Sequence, residues 1–452
     1  MKASRYNVII EQDSHILAFN CLTGAFAKMD RRQYTEYLQI VDTEPGTETK
    51  LDSETDAFIA ELKRGGFIVD DDFDELDLVK VKHLGTRFGS RVLSLTVAPT
   101  LDCNFACPYC YEIEKRAEYM TKEVEARLVN YIDQRLTGMS GLHVTWFGGE
   151  PLVAIDTLYC LSEQLRQKAA EKGIEYSQQI ITNGYNLTKE VALRIKSIAE
   201  DVKAQVTLDG PPEIHNVRRP LSDGRESFHV IVNNLQEVAG QIMPVVVRVN
   251  MDEANFSAFP KLLDILKQRG LEKRLTVFVA NTEVEPGACQ SMSDSRVSVP
   301  RFSKIEAEAR AMLLDRGFKM RSLFLFPNFA SCVAVSANSL VITPKGDTYK
   351  CWHVIDDLRE RAANIFEPAT FNKNETKWLA WNPLERDECL NCRVLPLCMG
   401  GCPYKSVDVE RRPKVADRDR CYTVKYNIRE MLKTEYCQYE MHKRGLSQEE
   451  KR

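Results

Sequence analysis

Two groups of closely spaced cysteines are the residues of this chain whose types and spacing best suit chemistry. The first group is Cys103, Cys107 and Cys110, in the spacing Cys-x3-Cys-x2-Cys. Each iron of a cubane iron–sulfur cluster takes one ligand besides its sulfides, so three thiolates leave one iron open to bind and activate a small molecule. A zinc knuckle is the alternative, but a closed zinc site needs four ligands, and no further Cys or His lies at a suitable short spacing.

The second group contains seven cysteines in the C-terminal part of the chain. Clustered cysteines in a reducing compartment usually bind metal or do chemistry, which disfavours disulfides here. A pair of structural zinc sites is the alternative. Cys21, Cys160 and Cys437 stand apart and are expected to be buried small residues, and Cys289 also stands apart. The seven grouped residues are Cys332, Cys351, Cys389, Cys392, Cys398, Cys402 and Cys421.

Strands that alternate with helices must position the first group. From Arg91 to about Gly317 the pattern predicts six strands, each followed by a helix, and the first strand is Val92–Val97. Such units form a parallel sheet whose right-handed crossovers curl it into a partial or full barrel. Ligand chemistry is then expected at the carboxyl ends of the strands, where the first cysteines lie. The other predicted strands are Leu142–Phe147, Gln178–Thr182, Ala204–Leu208, Pro244–Asn250 and Leu275–Val279.

The regions on either side of residues 91–317 have different patterns. Residues 1–80 are predicted to form a winged-helix-like module of short strands and two helices, and the acidic stretch Asp70–Asp77 is interpreted as a solvated linker. Residues 324–425 have few regular patterns and many cysteines, so metal binding is expected to hold them together. A helical tail is predicted over residues 426–452.

The spacing of the first group, placed after the first strand of a β/α barrel, resembles the signature of the radical S-adenosylmethionine (SAM) superfamily. The resemblance implies that Cys103, Cys107 and Cys110 hold a [4Fe–4S] cluster whose open iron chelates the amino and carboxylate groups of SAM. In that family, reduction of the cluster cleaves SAM to methionine and a 5′-deoxyadenosyl radical, which abstracts hydrogen from the substrate.

Two further segments are similar to motifs of the same family. Gly148-Gly149-Glu150-Pro resembles its Gly-Gly-Glu-Pro turn, in which the glycines let the backbone approach SAM and the carboxylate receives the SAM ammonium group. Thr207 begins a stretch that resembles the Ser-x-Asp-Gly-Pro segment of peptide-modifying members, which implies a contact with SAM. Asn183 ends the third strand and is expected either to line this pocket or to form a simple turn.

The second cysteine group resembles the SPASM domain, in which radical SAM enzymes that act on peptides and proteins hold two auxiliary [4Fe–4S] clusters. The resemblance assigns one cluster to Cys389, Cys392, Cys398 and Cys421. The other cluster would use Cys332, Cys351 and Cys402. This second set is one ligand short, and we hypothesise that its open iron binds a substrate thiolate. The alternative is that Cys289, or a ligand that is not a cysteine, fills the place.

These resemblances predict a maturase of ribosomally made precursor peptides, with thioether formation by a cysteine sulfur as the first hypothesis. The N-terminal module resembles the winged-helix element of such enzymes, which adds the leader peptide as a strand to a sheet edge. An ordinary packing or oligomerisation unit is the alternative. Anaerobic sulfatase maturation, which forms formylglycine, is the second hypothesis for function, and other peptide crosslinks, epimerisation or decarboxylation are also open. A non-catalytic iron–sulfur electron carrier or zinc scaffold is the third.

Composition and charge limit the partners. The formal net charge of −4 gives no support for a general nucleic-acid binder. No apolar run reaches the ~18 residues that span a bilayer. The N-terminus has no signal-peptide pattern, so the cytoplasm is the expected location. The predicted partners are a precursor peptide and a reductant such as flavodoxin or ferredoxin, with no nucleic acid and no membrane.

Overall fold

The computed structural model describes residues 1–42, 53–110, 112, 117–282, 297–320, 326–355, 357–368, 372–407 and 415–449. Within these ranges the chain begins with a small module of strands and helices, continues as a parallel β/α barrel, and ends in a cysteine-rich region with a long helix.

The N-terminal module combines an antiparallel sheet with helices. Its elements are β1 (Lys2–Ala3), β2 (Asn7–Glu11), β3 (Ile16–Asn20), β4 (Phe26–Met29), α1 (Arg31–Asp42), α2 (Ser53–Gly65), β5 (Ile68–Val69) and α3 (Glu75–Phe88). Strands β2, β3 and β4 pair in that order, and β1 pairs with β5. Side chains alternate along β3: Ile16 and Ala18 pack with residues of α1 and α2, whereas Leu17 and Phe19 pack against the cysteine-rich region. Both faces of this sheet are therefore covered.

Helix α3 corrects one prediction. The acidic stretch Asp70–Asp77 was expected to be a solvated linker throughout, but α3 begins at Glu75 and its N-cap is Asp74, whose carboxylate accepts a hydrogen bond from Leu76 N at 2.8 Å. Acidic side chains stabilise a first helical turn because they complement the helix dipole, so the same charges that suggest a linker also start a helix. The Glu75 carboxylate is buried and accepts a hydrogen bond from Arg5 N at 2.9 Å.

The barrel follows the predicted alternation of strands and helices. Its elements are β6 (Val92–Val97), α4 (Lys122–Arg135), β7 (Gly141–Trp146), α5 (Ile155–Glu171), β8 (Glu175–Thr182), α6 (Lys189–Ile198), β9 (Val202–Thr207), α7 (Pro212–Arg218), α8 (Phe228–Val238), β10 (Val245–Met251), α9 (Glu253–Phe256), α10 (Phe259–Gln268), β11 (Leu275–Asn281), α11 (Val299–Asp315) and β12 (Lys319–Met320). Strands β6 to β11 lie side by side in chain order, and each pair is parallel. The predicted partial β/α barrel is confirmed.

The cysteine-rich region continues the barrel sheet. Its elements are β13 (Ser339–Ile342), β14 (Asp347–Tyr349), β15 (Ala363–Asn364), α12 (Lys373–Ala380), α13 (Asp387–Leu390), α14 (Leu395–Cys398), α15 (Asp417–Arg420) and α16 (Val424–Glu449). Strand β13 pairs in parallel with β6, and β14 and β15 extend the sheet antiparallel from it. The strand that leads into the first cysteine group is thus flanked by β7 and β13. Among the described residues, no helix is both long enough and apolar enough to cross a membrane.

The N-terminal module rests directly on the cysteine-rich region. Its sheet residues Val8 and Phe19 share one apolar cluster with Cys389 and Cys398. Helix α3 reaches the loop around Cys332, because the buried Arg87 donates from Nε to Val335 O at 3.1 Å. The module is therefore a packed part of the molecule, whatever else it binds.

Candidate functional site

The first cysteine group lies in a loop at the carboxyl end of β6. The loop is anchored by Phe105, which is buried in the barrel core, and Phe105 N donates to Cys103 Sγ at 3.4 Å. Cys107 and Cys110 are linked by a backbone hydrogen bond of 3.2 Å, and the three cysteine side chains are partly exposed. The structure thus brings all three to the predicted end of the barrel.

The described cysteines do not converge as a closed zinc site requires. In the described part of the chain, no three His, Cys, Asp or Glu side chains are grouped closely enough to share one metal ion. A zinc site requires such convergence, whereas the thiolates around a cubane each bind a different iron and stand further apart.

The glycines of the second motif allow a close backbone contact with the cysteine loop. Gly148 has a φ of +117°, and a Cβ there would lie 2.3 Å from Thr100 O. A Cβ on Gly149 would lie 2.2 Å from Asp102 O. Glu150 N donates to Asp102 O at 2.8 Å, so the turn is bonded to the residue before Cys103. The glycines therefore serve the cysteine loop directly, and their predicted approach to SAM stays a prediction.

Replacing Gly149 with alanine should remove the SAM-binding cluster from the protein. The new Cβ would meet the carbonyls of Asp102 and Leu101, at 2.2 and 2.6 Å, so the backbone that leads into Cys103 must move. We expect bound iron to fall by about one third, measured by iron and sulfide analysis after reconstitution, since one cubane of three is lost. Gly85→Ala is the control, because nothing lies within 4 Å of a Cβ there. Equal iron in both variants contradicts the prediction.

Glu150 joins the cysteine loop to the end of β8. Its carboxylate is buried and accepts hydrogen bonds from Leu152 N at 3.0 Å, Thr182 Oγ1 at 2.7 Å and Asn183 N at 2.7 Å. Burial raises the pKa of Glu150, and these three donors oppose the rise. A carboxylate offers about four lone-pair positions, so one is left for the predicted SAM ammonium group. Asn183 Nδ2 in turn donates to Asn104 Oδ1 at 2.7 Å.

The third motif supplies a buried charged network that was not predicted from the sequence. Thr207, at the end of β9, is 8% exposed, and the chain then turns through Asp209 into α7. The Asp209 carboxylate accepts a hydrogen bond from the Tyr109 hydroxyl of the cysteine loop. Arg218 Nη1 lies 2.9 Å from Asp252 Oδ2, and Arg219 Nη1 donates to the Tyr109 oxygen at 2.7 Å. In the sequence, two features could have indicated this network: the tyrosine between Cys107 and Cys110, and the two consecutive arginines after α7 begins.

His215 holds this segment together. It is fully buried, its Nδ1 accepts a hydrogen bond from Asp209 N at 3.2 Å, and its Nε2 lies 3.2 Å from Ser227 Oγ. Burial lowers its pKa well below the usual value, and Arg219 and Arg218 lower it further, so the ring is neutral at ordinary pH. A buried, neutral imidazole with a hydrogen-bond partner at each ring nitrogen has a structural role.

Four of the C-terminal cysteines form one electrostatically coupled group. Burial raises the pKa of Cys398 to about 12, and the neighbouring Cys421, Cys392 and Cys389 raise it as well. Their influence on one another shows that the four thiols lie close together, which is what a shared cluster requires. Lys425 Nζ lies 3.5 Å from Cys421 Sγ and adds a positive charge at the edge of the group.

The other three C-terminal cysteines pack near the carboxyl ends of the first barrel strands. Cys332, Cys351 and Cys402 belong to one apolar cluster that also includes Phe147 of the glycine turn. Phe147 stacks on Trp352 with ring centres 5.3 Å apart, which joins this set to the carboxyl ends of the barrel strands. Cys289, the alternative fourth ligand, lies outside the described residues.

Residues 97–272 match the family model of the Radical SAM superfamily. This segment is a radical SAM domain. Its cofactors are accordingly a [4Fe–4S] cluster and SAM, with the loop of Cys103, Cys107 and Cys110 as the part of the matched segment that suits the cluster.

Similar proteins extend the comparison beyond the matched segment. The serine-type anaerobic sulfatase-maturating enzyme of Klebsiella aerogenes is 23% identical over 320 residues, which cover 67% of this chain and 77% of that enzyme. The radical SAM cyclopropyl synthase TigE of Paramaledivibacter caminithermalis is 23% identical in an alignment 480 residues long, which covers 96% of each chain.

Two solved structures share the fold. The structure of anSMEcpe with bound AdoMet and the Cp18Cys peptide has a TM-score of 0.57 at 17% identity, and the match covers 77% of this chain and 97% of that chain. Streptococcus suis SuiB bound to the precursor peptide SuiA has a TM-score of 0.51 at 13% identity, with 92% and 99% covered. At these identities the likeness extends to the fold alone.

Proposed function

We propose that this radical SAM enzyme matures a ribosomally made precursor peptide and joins a cysteine sulfur to a carbon of another residue. The observation that best supports a peptide substrate is that two of the comparisons extend over the N-terminal module. The matches with TigE and SuiB extend over 96% and 92% of this chain, which requires most of the module, whereas the match with the Klebsiella aerogenes enzyme covers 67%. A dedicated module for substrate recognition is more typical of peptide maturases than of sulfatase-maturating enzymes.

The module has a suitable sheet edge for a leader peptide. Strand β4 pairs with β3 on one side, and its other edge carries no strand among the described residues. An added peptide strand would gain main-chain hydrogen bonds along that edge. This open edge supports leader recognition. Strands β2 and β3 pack on the cysteine-rich region, which supports delivery of a bound peptide toward the cysteines.

The cysteines near the carboxyl ends of the first barrel strands support thioether chemistry. Bound SAM and its cluster supply the 5′-deoxyadenosyl radical, which takes a hydrogen atom from the reacting carbon. The thiol would give up a proton as the carbon–sulfur bond forms, and one electron must leave. A cluster held by the C-terminal cysteines would accept that electron. Cys332, Cys351 and Cys402 offer three thiolates, so a substrate thiolate could complete that set.

Two other reactions have observations in their favour. Formylglycine formation is supported by the sulfatase-maturating relatives, and carbon–carbon ring closure by the match with the cyclopropyl synthase over nearly the whole chain. The products differ in their thiols: a thioether consumes one, whereas ring closure consumes none. Oxidation of a cysteine to formylglycine consumes one and leaves an aldehyde.

Anaerobic incubation with SAM, a reductant and a cysteine-containing peptide encoded beside this chain tests the proposal. We expect release of 5′-deoxyadenosine and a peptide that has lost two hydrogens and one alkylatable thiol, measured by mass spectrometry after iodoacetamide treatment. A product that reacts with hydrazine favours formylglycine, and one with all its thiols favours ring closure. Unmodified peptide in the presence of 5′-deoxyadenosine release contradicts this choice of substrate.

A further inference from the structure

The segment after α7 holds the SAM-binding cysteine loop from one side. Ala106 N donates to Pro220 O at 2.9 Å, and Ser222 N donates to Asn104 O at 2.9 Å. These bonds bracket an antiparallel bridge between Phe105 and Leu221. Position 219 begins the segment, so its side chain is carried against the cysteine loop by backbone hydrogen bonds.

Arg219 fills that position, and its side chain is bound to the loop. It is 9% exposed, its Nη1 donates to the Tyr109 hydroxyl at 2.7 Å, and its guanidinium carbon lies 5.6 Å from the centre of the Phe105 ring. Its Nε is a buried donor for which the described residues provide no acceptor. A buried donor without an acceptor is costly, and an iron–sulfur cluster on the adjacent loop would provide sulfur acceptors.

Arg219 keeps its charge in this place. Burial by itself would lower its pKa, but Tyr109, Cys107 and Asp209 raise the pKa well above the usual arginine value. Cys107 is one of the three thiolates assigned to the cluster. Arg218, its neighbour in the chain, also lies over the Tyr109 ring, 5.4 Å from its centre, but its Nη1 lies 2.9 Å from the carboxylate of Asp252, which offsets its charge locally.

We propose that Arg219 is a positioning residue that sets the reduction potential of the SAM-binding cluster, by fixing the cysteine loop at Tyr109 and placing a permanent positive charge and a buried hydrogen-bond donor against that loop. Reduction adds one negative charge to the cluster. A buried cation packed against the loop that carries the ligands stabilises that charge with little screening by salt, and hydrogen bonds to cluster sulfurs act in the same direction. Arg219 therefore makes the reduction that precedes SAM cleavage easier. The inference requires the SAM-binding cluster and does not require the proposed peptide substrate.

Redox titration of the full-length reconstituted protein, followed by electron paramagnetic resonance, tests this proposal. The signal of the SAM-binding cluster is identified as the one that SAM perturbs and that is missing when Cys103, Cys107 and Cys110 are all alanine. In Arg219→Gln we expect the ratio of reduced to oxidised cluster at a fixed potential to fall about tenfold, which is about 59 mV for a one-electron couple. Arg218→Gln, the matched control, should shift the ratio by much less.

Arg219→Lys separates charge from loop geometry. Lysine keeps the positive charge and loses the planar fork, so its ratio of reduced to oxidised cluster should lie closer to the wild type than that of Arg219→Gln. An unchanged ratio in Arg219→Gln with normal iron content overturns the proposal. So does an equal shift in the Lys and Gln variants, and so does loss of the cluster from both, because each result leaves Arg219 with a structural role alone.

Discussion

Cys107→Ala should abolish release of 5′-deoxyadenosine while the C-terminal cysteines keep their iron. Three thiolates hold the SAM-binding cubane, and two are too few to retain it, so no iron is left to bind SAM. The C-terminal sets are built from other elements and share no ligand with this loop. We expect product release to fall below detection by liquid chromatography, and bound iron to fall by about one third.

Cys160→Ala is the matched control for this variant. Cys160 lies on α5, and its Sγ accepts a hydrogen bond from Gln164 Nε2 at 3.0 Å, outside all three cysteine sets. It should retain wild-type iron and wild-type product release, which excludes a general effect of removing a thiol. If Cys107→Ala still releases 5′-deoxyadenosine at the wild-type rate, the three-thiolate assignment is wrong.

The barrel could be predicted because its signals are local. Strand β10 was expected over Pro244–Asn250 and is found at Val245–Met251. Five of its seven residues are apolar, because buried parallel strands have few polar positions. Helices α4 and α6 begin after Thr121 and Thr188, whose side chains cap the first turn, and such caps are readable in a sequence. The Cys-x3-Cys-x2-Cys spacing is equally local.

The contacts around the site could not be predicted in this way. Tyr109, Asp209 and Arg219 come from separate segments, and their approach depends on the closure of the barrel. The pairing of β13 with β6 joins residues far apart in the chain, and nothing in either strand specifies its partner. Helix α3 was missed for a different reason, since acidic residues suit both a linker and a first helical turn.

Lys28→Pro should weaken leader binding about fivefold, the loss expected when one main-chain hydrogen bond worth ~1 kcal/mol is removed from a strand edge. Asn20 N donates a hydrogen bond to Ala25 O, so these two residues are a hydrogen-bonded pair of the β3–β4 ladder. Hydrogen-bonded and non-hydrogen-bonded pairs alternate along an antiparallel ladder. Lys28, opposite Leu17, is therefore in a non-hydrogen-bonded pair, and its N–H and C=O point away from β3. Proline removes that outward N–H and leaves the ladder with β3 intact. Fluorescence anisotropy with a labelled leader peptide measures the change, and SAM cleavage without peptide should persist.

Lys28→Ala distinguishes the strand edge from the side chain. Alanine keeps the amide but loses the contact of Lys28 Nζ with the Tyr436 ring, 5.3 Å from its centre. We expect near wild-type leader affinity from this variant, because strand addition uses the main chain. Equal weakening in both variants assigns recognition to the face of the module and rejects strand addition at β4. Wild-type affinity in both leaves β4 out of leader recognition altogether, and the module is then best explained as a packing unit of the cysteine-rich region.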